Sequence, residues 1–173
     1  MPTERFRLAA AVYGIVIDGD DRILLMRRAG SGYRDGQLSL PAGHLDGDED
    51  AVTGLVRELS EELKVFADPA SCRLAVTMHR AAEPPTDTEY LDLFFTVERW
   101  RGRPAISEPD KCSELVWAHR SPLPPDLVDY VGAWSPRSLG QEGIASPYGV
   151  VSHDFRKRPR QLRGTNGPRE RSF

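Results

Sequence analysis

Cysteine and long apolar runs are scarce in this sequence. Its 173 residues contain two cysteines, Cys72 and Cys112, which lie far apart and form no CxxC pattern. No disulfide framework is therefore predicted, no signal peptide is visible, and reduced thiols in a cytoplasm are expected. The apolar run that begins at Leu8 covers about ten residues, which is too short to cross a bilayer. We expect neither a membrane-spanning segment nor a membrane partner.

Two common catalytic arrangements are missing as well. The sequence contains no Ser/His/Asp set and no Cys/His pair at a plausible spacing. His79 and His119 lie within strand patterns and are expected in the core or at a sheet edge. A thiol mechanism through Cys112 is therefore not expected.

Charge is unevenly distributed along the chain. The formal net charge is −3, yet residues 134–173 carry eight basic and three acidic side chains, whereas residues 1–133 carry fifteen and twenty-three. Pro and Gly recur throughout the basic part without a hydrophobic period. We predict one domain over 1–133 and a basic, Pro/Gly-rich, poorly ordered extension over 134–173, with a short anchored piece around 147–155 left open. The extension is predicted to be solvated, and binding to nucleic acid is not expected.

Hydrophobic periodicity predicts strands before and after one central helix. The predicted strands cover 7–17, 22–28, 37–41, 73–81, 89–99 and 115–119, and the predicted helices cover 50–63 and 121–134. The first two strands are expected to form a hairpin, and the strands at 73–81 and 89–99 are expected to pair antiparallel. Gly14 indicates a bulge or a close backbone approach. This order predicts an α+β fold, or an α/β/α sandwich with a mixed sheet.

Three acidic residues recur at helical spacing. Glu58, Glu61 and Glu62 fall at i, i+3 and i+4, so a helix places them on one face, directed toward the loops. Like charges so placed repel each other, and a divalent cation would reverse that effect. Carboxylates suit hard ions such as Mg²⁺, which often shares its coordination shell with substrate phosphates. For such a cluster taken alone, a solvated acidic helix face is the alternative.

The stretch 43–65 around these acids resembles the Nudix box. Eight of the nine defined positions of that box agree with this sequence: Gly43, Glu49, Arg57, Glu58, Leu59, Glu61, Glu62 and Val65. Lys64 is the departure, because the family has Gly there. The resemblance extends more loosely over 7–132 and does not cover 134–173. It implies a Nudix-type α/β/α sandwich with a mixed β-sheet.

The resemblance also implies roles for the acids. In this family such acids bind Mg²⁺ or Mn²⁺ and supply the general base. Glu58, Glu61 and Glu62 are therefore the expected metal ligands, together with the backbone carbonyl at Gly43. The base is expected to be Glu58 or Glu61, and both alternatives stay open. A cation of this kind would let an acidic domain bind polyanionic phosphate.

Two further features of the box carry structural expectations. Glu49 and Arg57 match a pair that usually braces the loop against the helix. Lys64 is expected to end the helix in the left-handed conformation, which costs a residue with a Cβ about 1 kcal/mol. Because Lys64 leaves the acids untouched, activity is expected to survive this departure.

Residues outside the box indicate the substrate. Arg28 resembles an Arg that approaches the phosphates in members that hydrolyse nucleoside triphosphates. Glu108, Lys111 and Cys112, followed by Trp117, resemble a segment that borders the base pocket in members acting on purine nucleoside triphosphates. Glu108 is therefore a candidate late metal ligand, and Lys111 and Trp117 are candidates for substrate binding.

His44 is a further candidate for contact with substrate or phosphate. A nucleobase site needs an aromatic face beside a few polar groups. Candidates for that face are Trp117, Tyr90, Phe94 and Tyr33, and a core position is the alternative for each.

These features predict a Mg²⁺- or Mn²⁺-dependent enzyme. We expect hydrolysis of a nucleoside triphosphate, with an oxidised or modified purine as one candidate, to a nucleoside monophosphate and pyrophosphate. One alternative is another nucleoside-diphosphate substrate, such as a sugar nucleotide or a dinucleoside polyphosphate. The other is a Nudix fold that senses a ligand without catalysis. Formation of a homodimer stays open.

Overall fold

The computed structural model describes residues 6–83, 88–134 and 150–152. This part of the chain contains one α-helix, α1, at Ala51–Leu63, and a closing 3-10 helix at Asp129–Trp134. The ten strands, β1 to β10, cover Ala9–Val16, Arg22–Arg28, Leu38–Ser39, Ala42–His44, Phe66–Ala67, Cys72–Arg80, Tyr90–Val97, Trp100–Arg101, Cys112–His119 and Val150–Ser152. None of the helices in these ranges is long and apolar enough to cross a membrane.

The larger sheet is mixed, as predicted. Its five strands lie in the order β10-β6-β7-β1-β4. β1 and β7 run parallel, from Ala9 opposite Tyr90 to Val16 opposite Val97, while the other neighbours are antiparallel. The predicted antiparallel pairing of the strands at 73–81 and 89–99 is confirmed by β6 and β7. The predicted α+β class is confirmed as well.

The predicted hairpin over the first two strands is wrong. β2 lies in a separate three-stranded sheet of order β3-β2-β9, and a single bridge between Ile17 and Ile23 joins it to the end of β1. β4 and β7 occupy both edges of β1 and take its backbone hydrogen bonds, so β2 pairs elsewhere. Local turn chemistry predicted the reversal of the chain but not the partners of the two strands.

Two hydrophobic clusters flank β1, because successive side chains of a strand point to opposite faces. Tyr13 and Ile15 belong to the cluster that contains the closing 3-10 helix. Val12 and Val16 belong to the cluster that contains α1. Between them a Cβ on Gly14 would lie 2.9 Å from a methyl group of Leu59, which confirms the predicted close approach. The helix therefore packs directly on the backbone of the central strand.

The boundaries of α1 follow from its sequence. The Asp50 side chain accepts hydrogen bonds from the N–H groups of Val52 and Thr53 and caps the first turn. The apolar stripe that ends in Leu59 and Leu63 is buried. Lys64 ends the helix with φ 57° and ψ 28°, the left-handed conformation expected from its position.

An α-helix was predicted over 121–134, and this prediction is wrong. The segment runs as a loop before the six-residue 3-10 helix at Asp129–Trp134. Three prolines at 122, 124 and 125 remove backbone donors and restrict the residues before them. The backbone of Asp126 and Val128 instead bonds to both sides of Leu38. The second helical layer of the predicted sandwich is thus a short 3-10 helix.

Part of the predicted extension lies outside the described residues. Within it the structure describes β10, Val150–Ser152, which pairs antiparallel with β6. This strand falls inside the anchored piece that the sequence left open at 147–155.

Candidate active site

A cavity of about 750 Å³ opens where β4, α1 and the loops at 29–36 and 102–111 meet. This volume is in the range of sites for small molecules. Eight of the predicted site residues line it: Arg28, Gly43, His44, Glu58, Glu61, Glu62, Glu108 and Lys111. Positions that are more than 80 residues apart in the sequence, from Arg28 to Lys111, are therefore brought to one site.

Arg57 connects the acidic helix to the loop before it. Its guanidinium donates to Glu49 Oε1 at 2.7 Å and Oε2 at 3.2 Å, and to the carbonyl of His44 at 3.1 Å. The same group donates to Glu58 at 2.8 Å and to Glu61 at 3.3 Å. The hydrogen bond from Arg57 lowers the pKa of Glu49 below its ordinary value. This network joins the loop before α1 to the helix.

Glu62 is a half-buried acid of the site. Its Oε2 is buried and accepts no hydrogen bond from the described residues. Burial, and then the negative charge of Glu58, raise the pKa of Glu62 to about 8. The expectation that the acids are directed away from the core therefore holds for exposed Glu61 but not fully for Glu62. The backbone N–H of Ala42 donates to the carboxylate, but an ionised group with one unpartnered buried oxygen is costly, so Glu62 favours a proton or a cation beside it.

Gly43 gives the backbone access to the acids. A Cβ at this position would overlap the carboxylate of Glu58. β4 therefore passes the helix at a distance that only glycine permits. The main-chain groups at Gly43 lie next to the acidic face, as a backbone metal ligand requires.

Glu108 and Lys111 form the opposite wall of the acidic end. Lys111 Nζ lies 3.0 and 3.1 Å from the two carboxylate oxygens of Glu108, and this bond raises the pKa of Lys111. The N–H of Ser107 donates to the carbonyl of Glu62 at 2.9 Å, which ties this loop to the end of α1. The loop between β8 and β9 therefore carries a carboxylate and a cation to the acidic helix.

Arg28 organises the glycine-rich loop at the cavity mouth. Its Nε donates to the carbonyl of Tyr33 at 3.0 Å, and a terminal nitrogen donates to Ser31 at 3.2 Å. The guanidinium also lies 5.5 Å from the centre of the Tyr33 ring. The Tyr33 hydroxyl in turn donates to Glu83 at 3.0 Å. Arg28 therefore lines the cavity and holds the loop around it.

Two of the aromatic candidates are placed elsewhere. Trp117 packs in the cluster of α1, with its ring 6.0 Å from that of Trp100, and it does not line the cavity. Phe94 is fully buried in the core. Tyr33 and Tyr90 do line the cavity. The expected contact of Trp117 with substrate therefore has no support in its placement.

Sequence reasoning missed the residues at the other end of the cavity. Arg80 and Tyr130 line it beside Tyr90, and Arg80 pairs with the fully buried Asp92. A signal was present in the sequence, because Asp92 interrupts an apolar strand. A charge at such a position indicates a buried partner.

Two carboxylates of the site are engaged by cations of the protein itself. Glu58 pairs with Arg57 and Glu108 pairs with Lys111. Among residues 6–83, 88–134 and 150–152, no group of three His, Cys, Asp or Glu side chains forms a preformed metal site. The acids line one cavity without converging on one point.

Comparison with known proteins agrees with this geometry. The NUDIX domain family model matches residues 7–134. An 8-oxo-dGTP diphosphatase of Escherichia coli (strain K12) is 28% identical over 115 residues, which are 65% of this chain and 84% of that protein.

Solved structures show the same fold. A MutT NUDIX hydrolase from Burkholderia pseudomallei superimposes with a TM-score of 0.66 at 22% identity, over 75% of this chain and 96% of that one. A MutT protein from Methanosarcina mazei Go1 gives a TM-score of 0.64 at 19% identity, over 80% and 97% of the two chains. At these identities the likeness concerns the fold.

Proposed function

Since this chain belongs to the NUDIX domain family and is a pyrophosphohydrolase of that family, we propose that it hydrolyses nucleoside triphosphates to a nucleoside monophosphate and pyrophosphate. An oxidised or modified purine nucleotide is the proposed substrate class. Similarity to the 8-oxo-dGTP diphosphatase supports this choice. The two buried free thiols, Cys72 and Cys112, fit a reducing cytoplasm as its setting.

One observation carries the proposal: the lining of a single cavity at the acidic helix includes the four predicted carboxylates and the two predicted cations. The carboxylates belong to Glu58, Glu61, Glu62 and Glu108, and the cations belong to Arg28 and Lys111. A phosphate chain needs cations to neutralise its oxygens, and its hydrolysis needs an acceptor for the proton of water. Both kinds of group are available here side by side.

Three observations support a divalent-metal site at the acidic end. Glu62 has a buried carboxylate oxygen without a partner among the described residues, its pKa is raised, and the backbone at Gly43 contacts the Glu58 carboxylate. We propose that the site is formed by Gly43, Glu58, Glu61, Glu62 and Glu108 and holds Mg²⁺ or Mn²⁺. When bound, such an ion neutralises phosphate oxygens and lowers the pKa of a bound water.

The protein groups have separate tasks in the proposed reaction. Arg28 and Lys111 bind phosphate oxygens, for which Lys111 must exchange its bond to Glu108. A water forms a new bond to phosphorus, the bridging P–O bond breaks, and pyrophosphate leaves. The proton of the water passes to Glu58 or Glu61, which we propose as the alternative bases. Arg57 keeps both carboxylates in position through its hydrogen bonds to them.

A substrate panel tests this proposal. The purified chain is incubated with Mg²⁺ or Mn²⁺ and either the normal and oxidised nucleoside triphosphates, a sugar nucleotide, or a dinucleoside polyphosphate, and the products are identified. We expect nucleoside monophosphate and pyrophosphate from at least one triphosphate. Turnover of the sugar nucleotide or dinucleoside polyphosphate without turnover of any triphosphate would contradict the proposed substrate class. It would leave the proposed hydrolysis of a diphosphate bond in place.

A matched pair of variants tests whether the acids are catalytic. Glu62→Gln removes the buried charge at almost constant shape, and we expect kcat to fall by roughly 100-fold or more. Glu98→Gln makes the same change at an exposed position outside the cavity and should leave turnover unchanged. Equal activity of both variants would favour a binding protein that does not use these acids.

A further inference from the structure

The cavity has a second end, which contains one cation among aromatic rings. Arg80 lies 4.3 Å from the ring centre of Tyr90 and 4.4 Å from that of Tyr130. Tyr13 lies next to them, with its ring 6.2 Å from that of Tyr130. We call Arg80, Asp92, Tyr90 and Tyr130 the arginine–tyrosine cluster. Arg80 and the three tyrosines line the cavity; Tyr13 is buried, whereas Arg80, Tyr90 and Tyr130 are half-buried and form the exposed part of this surface.

Asp92 fixes the orientation of the guanidinium. Arg80 Nε donates to Asp92 Oδ2 at 2.7 Å, and Nη2 approaches Oδ1 at 3.5 Å. The Asp92 side chain is fully buried and that of Arg80 is 13% exposed. A buried ion pair is weak evidence for stability, because an apolar pair of similar volume is often at least as stable. Its position at a cavity wall suggests a role in binding instead.

The guanidinium retains a donor for a ligand. Nε and Nη2 are directed to Asp92, and Nη1 makes no hydrogen bond to any residue that the structure describes. The guanidinium carbon lies over the rings of Tyr90 and Tyr130, so this donor belongs to a layer of planar groups. Such a layer suits a planar heterocycle, which packs against it and accepts a hydrogen bond at its edge.

A short path connects this cluster to the acidic end. Gly43 contacts Glu58, its neighbour His44 lies with its ring 5.6 Å from that of Tyr90, and Tyr90 lies against Arg80. The strand β4 is therefore the strip between the two ends. A nucleotide whose phosphates lie at the acids can extend its base along this strip toward Arg80.

We infer that the arginine–tyrosine cluster binds the nucleobase and selects 6-oxopurines over adenine. This inference rests on the proposed function. Guanine and hypoxanthine present the O6 and N7 acceptors to an arginine, whereas adenine presents an amino donor at position 6. Arg80 is the specificity-determining residue, and Asp92 is a positioning residue that acts through it. Tyr90 and Tyr130 hold the guanidinium against their rings.

A phosphate is the weaker candidate for Arg80. Asp92 already neutralises its charge, and a phosphate gains little from surrounding aromatic rings. Two other cations, Arg28 and Lys111, line the cavity together with the acids. The two roles also predict different effects, because loss of a phosphate contact weakens every nucleotide equally.

The experiment compares dITP and dATP, whose bases differ in the group at position 6 and in the proton on N1. For the wild-type chain with Mg²⁺ we expect kcat/KM for dITP to exceed that for dATP by about tenfold or more. The double variant Arg80→Met with Asp92→Leu replaces the ion pair by apolar groups. Its selectivity should fall toward one, mainly through loss of dITP turnover. Equal turnover of both nucleotides by the wild type, or an equal loss of both in the variant, would overturn the inference.

Two further variants make the result specific. Arg73→Gln removes an exposed arginine from the same strand, outside the cavity, and should keep the wild-type selectivity. Arg80→Lys keeps a cation beside Asp92 but loses the planar fork, so selectivity should fall severalfold. If the double variant does not fold by circular dichroism, this second variant decides. Unchanged selectivity of Arg80→Lys would then refute the role of the fork.

A measurement of product binding tests the base site independently of the proposed hydrolysis. Calorimetric titration with dIMP and dAMP requires no hydrolysis. Tighter binding of dIMP, reduced by Arg80→Lys, supports the cluster even if no triphosphate is hydrolysed. Hydrolysis of triphosphates together with equal affinities for dIMP and dAMP would retain the proposed function and reject the cluster as the base site.

Discussion

Glu62 differs from its two acidic neighbours because of where its carboxylate lies. Glu61 has a 62% exposed side chain, and Glu58 pairs with Arg57. Glu62 has a buried oxygen without a partner among the described residues. The same residue type at helical spacing therefore has three environments, and burial raises the pKa of Glu62 to about 8.

The raised pKa of Glu62 predicts how stability depends on pH. Its pKa is about 8 in the folded chain against an ordinary 4.5, so between these values the folded chain binds the extra proton. The free energy of unfolding of the metal-free chain should therefore fall as pH rises from 4.5 to 8. Because Gln cannot ionise, the free energy of unfolding of Glu62→Gln should lack this decrease, which in the wild type is on the order of a few kcal/mol. Urea unfolding in EDTA at a series of pH values measures this, with Glu98→Gln as control. Parallel curves for Glu62→Gln and wild type would contradict it.

Gly43 offers a second test at a single position. A Cβ in Gly43→Ala would displace the Glu58 carboxylate, and misplacing such a group commonly costs about 100-fold in rate. Gly47→Ala is the matched control, since a Cβ there meets no atom within 4 Å. We expect a large fall in kcat for the first variant and less than a twofold change for the second, measured as pyrophosphate release. Similar rates for the two variants would show that the close approach of Gly43 to Glu58 does not contribute to catalysis.

At the scale of elements, α1 ends in a strained residue. Lys64 adopts a left-handed conformation, which a side chain disfavours by about 1 kcal/mol. Lys64→Gly should therefore raise the melting temperature by several degrees and leave kcat unchanged. Lys64→Ala retains the Cβ and should give no such gain. A large increase in kcat for Lys64→Gly would show that the helix end limits the reaction.

Some elements were predictable from local sequence, and others were not. The bounds of α1 were predicted within one residue. The signals that set them, the Asp50 cap, the leucine stripe and the left-handed Lys64, all lie in the helix or directly next to it. The helix predicted over 121–134 failed because backbone bonds to Leu38, on a distant strand, compete for that segment. The hairpin of β1 and β2 failed for a similar reason, since the edges of β1 are occupied by β4 and β7.

At the scale of the whole molecule, negative charge dominates the part that carries the site. Residues 1–133 contain fifteen basic and twenty-three acidic side chains, and the Nudix acids line one cavity. A cation that binds only the folded chain must raise its stability with the logarithm of its concentration. We expect MgCl₂ to raise the melting temperature and EDTA to reverse the gain. NaCl of equal ionic strength is the control. An equal rise in melting temperature with NaCl would show that the ions only screen the repulsion between acidic side chains.

The Nudix acids, their spacing, the capped helix and the mixed α+β class follow from the sequence alone. Their information is local, because periodicity, capping and motif spacing act within a few turns of chain. The tertiary structure decided the rest. It packed half-buried Trp117 against the α1 cluster, left a buried oxygen of Glu62 without a partner among the described residues, and placed Arg80 and Tyr130 in the cavity with the acids. Strand pairing sets these contacts between distant segments, and burial then gives equal residue types unequal chemistry.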